Sequence, residues 1–407
     1  MKLGIEKLRA WPSTGYLQMD DLCAARDHDP ADVRDNLFVD QRSVAPPWED
    51  PVTYALNAAK ALITDEDRGH IELCVVGTET AVDLEKPISS WAHRHLGLKL
   101  HCRNFEVKHA CYSGTAGLMT ALDFVAARPD PKVKALVINT DHSTLGIGDP
   151  WEYVLGCGAI AMVISRDPGF LEVERGKSGV YANEVTDVIR PTGRIETGNS
   201  ETSLFSYLEA VDGAYDGYEA KVGEVDFGTY FKKNIYHIPF GGITFRAHKM
   251  LLSRWNDITK AEAWADYQHK TLPALTWNRR MSGVYGGSTF FAMLGLVDNA
   301  EDLMVGDRIG VYAYGSGSCA EFWSGLVGER ARQVARQANL GGLLDARKRL
   351  TVEQYEAVER ERDASVGIAD YTPSRDLVPG WWEEQYEGKG RMYLDHIEGH
   401  CRFYGFS

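Results

Sequence analysis

Cys111 lies where an extended stretch ending at Phe105 to Val107 hands over to a helical one, in which Leu118, Leu122 and Val125 repeat at i, i+4 and i+7. A thiol at such a junction is placed to act as a nucleophile. Unpaired N–H groups and the dipole at a helix start favour the thiolate, so its pKa is expected to fall toward neutrality. Ser113, Gly114, Ala116 and Gly117 fill the first turn and would let a substrate approach the backbone. Read alone, Cys111 is equally a small buried hydrophobe, as most free cysteines are.

A carboxyl, an imidazole and a glycine-rich turn occur in three further segments. Gly77-Thr-Glu-Thr-Ala-Val-Asp83 places Glu79 just after the apolar run Leu73 to Val76. Tyr236-His-Ile-Pro-Phe-Gly-Gly242 places His237 in a loop punctuated by proline and glycine, and Tyr312-Ala-Tyr-Gly-Ser-Gly-Ser318 turns after the apolar run Ile309 to Val311. Each has a plainer reading when taken singly: a solvated loop acid, a core histidine, an ordinary hairpin turn. Short motifs are weak evidence one at a time.

The elements that must hold these groups alternate between strand and helix and suggest a duplicated α/β layout. Asp50-Pro51 reads as an N-cap with proline at the first helical position, opening a helix through Ile63. A strand at Leu73 to Val76, the helix after Cys111 and a strand at Ala135 to Asn139 follow. Leu155-Gly-Cys-Gly-Ala-Ile-Ala-Met-Val-Ile164 then reads as a small-residue turn entering another strand. In the second half Ile309 to Val311, the Gly315 to Gly317 turn and Cys319 to Trp323 look like its counterpart. Residues 183–233 are rich in Gly, Asp, Glu and Tyr and settle into no single period, so they read as an irregular insertion carrying Ser206 to Leu208. The tail beyond Ile368 is aromatic and broken by Pro373, Pro379 and Gly380, and is expected on the surface or at a subunit boundary.

With 407 residues, 44% of them hydrophobic and 25% charged, the chain can bury a large core as one large domain or two fused halves. No run approaches the ~18 consecutive apolar residues of a membrane span. The charged start Met1-Lys-Leu-Gly-Ile-Glu-Lys-Leu-Arg9 lacks the apolar core of a signal peptide, so a cytoplasmic protein with no membrane partner is expected. The cysteines, at 23, 74, 102, 111, 157, 319 and 401, show no Cys-x-x-Cys spacing and imply neither a disulfide framework nor a metal site. A net charge of −14 disfavours nucleic acid, whose phosphates it would repel. Two basic groups survive that average: Arg246, His248, Lys249 and Arg254 follow the His237 loop, while Arg330, Arg332, Arg336, Arg347, Lys348 and Arg349 read as a solvated helix face.

The four chemistry-bearing segments, in this order, resemble the hydroxymethylglutaryl-CoA synthase family, and the likeness runs from about Gly4 to Gly325. The resemblance implies a thiolase-like five-layer αβαβα sandwich of two pseudo-repeated halves, with the site at their junction. Residues 1–170 would hold Glu79 and Cys111; residues 171–407 would hold His237 and the 315–318 turn. It implies an acyltransferase that condenses an acetyl group with a β-ketoacyl thioester, with no tightly bound cofactor and phosphopantetheine thioesters as substrates. Cys111 would carry the acetyl group covalently. Glu79, its pKa raised by desolvation, would take a proton from the acetyl methyl group and later return one. The Cys111 backbone N–H, with the turn at Ser316 and Gly317, would hold the enolate oxygen. His237 would orient or polarise the acceptor's β-carbonyl, and hydrolysis of the Cys111 thioester would release a 3-hydroxy-3-carboxymethyl product.

Further details resemble one branch of that family. Where primary-metabolism members read Pro-Phe-Thr-Lys-Met, with lysines suited to coenzyme A phosphates, this chain reads Pro239-Phe-Gly-Gly-Ile243-Thr-Phe-Arg-Ala-His248. That loop, Glu106-Val-Lys-His-Ala-Cys111-Tyr-Ser-Gly-Thr-Ala116 and Glu49-Asp-Pro-Val-Thr53 look like the members that install β-branches in polyketide assembly. Donor and acceptor acyl carrier proteins are therefore the expected partners of a homodimer, with Arg246 and Lys249 meeting the phosphopantetheine phosphate. Two departures stand out. Gly283, expected at the substrate-binding site, stands in place of the family's asparagine, and the Asp141 to Tyr153 segment is short and lacks an aromatic near Leu145. The alternatives are a primary-metabolism hydroxymethylglutaryl-CoA synthase, a thiolase-fold acyltransferase that forms no carbon–carbon bond, and an idle scaffold that docks carrier proteins.

Overall fold

The computed structural model describes every residue except 144, 145 and 256, so the expectation at Leu145 falls outside the described residues. Asp50 caps the Pro51–Lys60 helix as its sequence suggests. Its carboxylate accepts from the Thr53 N–H at 2.9 Å, and Thr53 Oγ1 accepts the Asp50 N–H at 2.8 Å. Such a cap is worth about 1 kcal/mol to the helix start.

The main sheet runs in the order Lys233–Tyr236, Arg308–Gly315, Cys319–Val327, Leu171–Val173, Gly4–Trp11, Cys157–Ser165, Lys134–His142, Ile71–Gly77, Arg103–Val107. One pattern occurs twice. Ile71–Gly77 is parallel to Lys134–His142, which is antiparallel to Cys157–Ser165; likewise Lys233–Tyr236 is parallel to Arg308–Gly315, which is antiparallel to Cys319–Val327. Leu171–Val173 joins the two sets by pairing with both Gly4–Trp11 and Cys319–Val327.

Apolar packing sorts the helices into three layers around the two sets of strands. Pro51–Lys60 and Ile88–His95 cover one outer face over Val76, Leu136 and Ala161. Ser200–Val222 and Gly241–Leu252 cover the other over Tyr312, Ala320 and Phe322. Between them lie Ser113–Ala126 and Gly287–Asn299, whose Leu118, Leu122, Phe290 and Leu294 share a cluster with Val75, Val137 and Val311. The Gly287–Asn299 helix is buried from Gly287 to Val297, which is why its sequence is apolar on every side. The layering is that of the thiolase-like five-layer sandwich.

Three stretches differ from expectation. Within 183–233 the chain forms a hairpin, Val188–Thr192 with Ile195–Gly198, and then the long helix Ser200–Val222. The buried stripe of that helix is built from Tyr207, Ala210, Val211, Ala214, Tyr215 and Tyr218, and tyrosine and alanine in place of large aliphatics hid its period from hydropathy. The tail packs into the first half: Trp381 and Tyr386 are buried against Trp48, and Asn57 exchanges hydrogen bonds of 3.1 and 2.8 Å with the Met392 backbone. The expected basic helix face is also partly internal. Arg347 is buried on Ser43 Oγ and Gln41 Oε1 at 3.0 and 2.8 Å, and Arg332 caps the Val297 and Ala300 carbonyls. No helix among the described residues is long and apolar enough to cross a membrane.

Candidate active site

Cys111 follows Ala110, whose φ of 41° lies in the left-handed region that residues with side chains seldom adopt. Backbone strain of this kind persists only where surrounding contacts hold it. Two such contacts come from the second half of the chain. Tyr112 Oη donates to Glu321 Oε2 at 2.7 Å, and Gly315 seats so closely on the loop that a Cβ there would stand 2.5 Å from the His109 carbonyl oxygen. The 315–318 turn therefore needs its first glycine for approach rather than for flexibility.

The Cys111 thiol donates to Glu79 Oε1 at 3.1 Å. Glu79 leaves the end of Ile71–Gly77, and a third residue fixes its loop. The buried Asp141 accepts through one oxygen from Thr78 Oγ1, the Glu79 N–H and Thr80 Oγ1, each at 2.9 Å. Burial, and then the charges of Asp141 and Glu196, push the Glu79 carboxyl well above the usual carboxylate range, as expected for a general base. Burial, and then Glu79 itself, push the Cys111 thiol well above its ordinary value as well. This overturns the expected fall toward neutrality: a helix terminus offers only about half a charge, while burial first and the neighbouring Glu79 next act in the opposite direction.

His237 sits at the end of Lys233–Tyr236. Its N–H donates to the Tyr312 carbonyl and its carbonyl accepts from Tyr207 Oη, both at 2.7 Å. Burial lowers its pKa to about 3, so the imidazole is neutral at ordinary pH and donates a single ring N–H. Its Nδ1 is buried without a hydrogen-bond partner among the described residues.

Glu79, Cys111, His237 and Ser316 meet in one cavity of about 360 Å³, walled largely by apolar side chains such as Trp151, Val154, Leu155, Leu204 and Ile238. Leu37, Phe240 and Arg246 also border an adjoining groove of about 770 Å³ that adds Phe245, Lys249, Lys260 and Trp264. Arg246 and Lys249 make no ion pair among the described residues, so both charges are available at the cavity's approach. The other two members of that basic group are not. His248 is buried, bonded to Tyr236 Oη at 3.0 Å and Asp266 at 2.7 Å, and Arg254 is neutralised by Asp212, Asp216 and Glu219.

Two expected site residues stand outside the cavity wall. Gly317 is exposed and its N–H donates to Asp187 at 2.9 Å, so that donor is already engaged; only Ser316 of the turn reaches the cavity. Gly283 forms a backbone bridge, donating to the Val154 carbonyl at 2.7 Å and accepting from the Gly156 N–H at 2.8 Å. A Cβ on Gly283 would lie 2.8 Å from that Val154 oxygen, so the family's asparagine does not fit this backbone without a shift.

Sequence reasoning missed Glu196 and Tyr285 in the wall and Asp141 beneath Glu79. Glu196 lay hidden in the stretch without a period. Tyr285 had a usable signal, a large aromatic immediately before Gly286 and Gly287; it is held at φ 41° and packs with Leu155 near Cys111.

A nucleophile in contact with a carboxyl, beside a neutral imidazole in a mostly apolar cavity, is suited to acyl transfer with proton abstraction. Comparison with known proteins agrees. Residues 249–406 match the family model described as hydroxymethylglutaryl-coenzyme A synthase C terminal. The polyketide biosynthesis 3-hydroxy-3-methylglutaryl-ACP synthase PksG of Bacillus subtilis is 32% identical over 98% of each chain. Hydroxymethylglutaryl-CoA synthase of Enterococcus faecalis is 34% identical over 89% of this chain and 92% of its own. Among solved structures, the HMG synthase of the curacin biosynthetic pathway, in complex with acetyl donor-ACP, superposes with a TM-score of 0.95 over the whole of both chains at 35% identity. The chain belongs to the hydroxymethylglutaryl-CoA synthase family.

Proposed function

We propose that this enzyme condenses an acetyl group, delivered by an acyl carrier protein, with the β-keto group of a carrier-bound polyketide thioester. The observation that carries the proposal is the Cys111 thiol on the Glu79 carboxyl at 3.1 Å, in a cavity that also holds neutral His237. Cys111 attacks the donor thioester; its sulfur bonds the acetyl carbon, the pantetheine sulfur leaves, and the thiol proton passes to it. Glu79 then takes a proton from the acetyl methyl group, and the resulting carbanion bonds the acceptor's β-carbon. The ketone oxygen becomes an alkoxide that His237 polarises by donating its N–H, and Glu79 returns the proton to give the hydroxyl. Ser316, in the same wall, stands with the Cys111 N–H as the donor set for the enolate oxygen. Water cleaves the Cys111 thioester, leaving a free carboxylate on the product and restoring the thiol. Incubation with acetyl-carrier protein and a β-ketoacyl-carrier protein should add acetyl plus water to the acceptor by intact mass; acetylation without that product would instead mark a simple acyltransferase.

The carrier assignment rests on the groove beside the cavity. A surface of net charge −14 repels an acidic carrier, and Arg246 and Lys249, without an ion pair among the described residues, offer a local patch that steers it. Crystals of the curacin enzyme with donor-ACP support the same partner. Acetyl-carrier protein is expected to load Cys111 far faster than acetyl-CoA, at a rate that falls as salt rises. Arg246→Glu should slow that loading by roughly tenfold or more while a short pantetheine thioester is affected much less. Equal rates for the two donors would point to the primary-metabolism reaction. For the homodimer, the open edge is Arg103–Val107, the last strand of the sheet, partly exposed and directly preceding the Cys111 loop; sedimentation measures it.

A further inference from the structure

We propose that Glu196 makes Cys111 selective for uncharged acyl groups: its carboxylate covers the Arg190 guanidinium and turns away acyl chains that end in a carboxylate of their own. The inference rests on acyl loading at Cys111. Arg190 and Glu196 face each other across the hairpin of Val188–Thr192 and Ile195–Gly198, hydrogen-bonded and ion-paired. Glu196 lines the cavity and Arg190 does not, so the anion of the pair is the member that an incoming acyl group meets. The arrangement is built rather than incidental. Tyr285 Oη donates to Glu196 Oε2 at 3.0 Å and accepts from Arg190 Nη2 at 3.1 Å, and Tyr285 itself packs with Leu155 beside Cys111. The Glu196 side chain is 3% exposed, so bulk water screens it little.

The consequence is a difference between two acyl groups of one shape. Malonyl and isovaleryl thioesters both branch at the third carbon, one into two carboxylate oxygens and the other into two methyl groups. Either would be transferred by the same exchange, with Cys111 sulfur bonding the acyl carbon as the pantetheine sulfur leaves with the thiol proton. The isovaleryl end brings no charge to that place. The malonyl end brings a second anion against Glu196 in a mostly apolar cavity, where like charges repel. Arg190 would repay that cost, but Glu196 already occupies it.

The test is single-turnover loading of the full chain from malonyl-, isovaleryl- and acetyl-pantetheine, read as Cys111 adducts by intact mass. In the unaltered protein the malonyl rate should lie roughly 100-fold or more below the isovaleryl rate, as a like-charge contact predicts. Glu196→Gln keeps the shape and removes the repelling charge, and the malonyl-to-isovaleryl ratio should rise at least tenfold. Glu196→Asp keeps the charge on a shorter arm and should hold the ratio within a few-fold of the starting value. A ratio unmoved by Glu196→Gln, or moved equally by Glu196→Asp, as a loosened hairpin would do, overturns the inference while leaving acetyl loading in place. Failure of acetyl-pantetheine to label Cys111 in the unaltered protein overturns both this inference and the function on which it rests.

Discussion

Cys111→Ser is expected to abolish acylation by an acetyl donor and to lower turnover by roughly 10⁴-fold or more, as removal of a covalent nucleophile does. A thiol exchanges one thioester for another with little change in bond energy, while a hydroxyl must be deprotonated from a far higher pKa. The site makes that deprotonation harder still, since burial and Glu79 already raise the pKa of the thiol, and the same surroundings act on a serine. Intact-mass and peptide mapping check the result. Acetyl retained on another residue of the serine variant would show that Cys111 is not the nucleophile.

Glu79→Gln should divide the reaction in two. Loading persists, because the substitution removes the carboxylate charge that raises the thiol and so eases formation of the thiolate. Condensation requires abstraction of a weakly acidic methyl proton and should fall by the ~10²–10⁴-fold typical of losing a general base. The pH dependence has a definite sign. The base acts in its ionised form and its pKa is raised, so condensation in the unaltered enzyme rises with pH through a midpoint well above the usual carboxylate range, and that limb disappears in Glu79→Gln. The measurement is the rate of product appearance from pre-acetylated enzyme across pH. Equal loss of loading and condensation would assign Glu79 to the thiol rather than to the methyl proton.

Much of this centre was legible along the chain because Glu79, Cys111, His237 and Ser316 each follow shortly after a strand, and the ends of neighbouring strands come together in a layered α/β fold. The helix after Cys111 was equally plain, since Leu118, Leu122 and Val125 repeat at its period. The wall that Glu196 and Tyr285 add was not legible. The Val188–Gly198 hairpin has exposed Ile189 and Ile195 on its outside and a buried ion pair on its inside, the reverse of the pattern that marks a strand on a core. Gly283 showed the opposite failure, since its motif position suggested a place in the site while the backbone pairing with Val154 and Gly156 holds it behind the wall.

Residue type and local period thus marked which groups could carry the chemistry and which elements hold them, with their order along the chain supplying the family resemblance, because strand ends, helix starts and caps are properties of neighbouring residues. The tertiary structure set their protonation, in line with the raised Glu79 carboxyl that the resemblance implies and against the expected fall at Cys111. Cys111 is a raised thiol rather than a ready thiolate, Glu79 a raised carboxyl and His237 a neutral imidazole, because burial acts on all three, joined at Cys111 by Glu79 and at Glu79 by Asp141 and Glu196. Both causes act through space across a few ångströms, between residues that lie tens to more than a hundred positions apart in the chain.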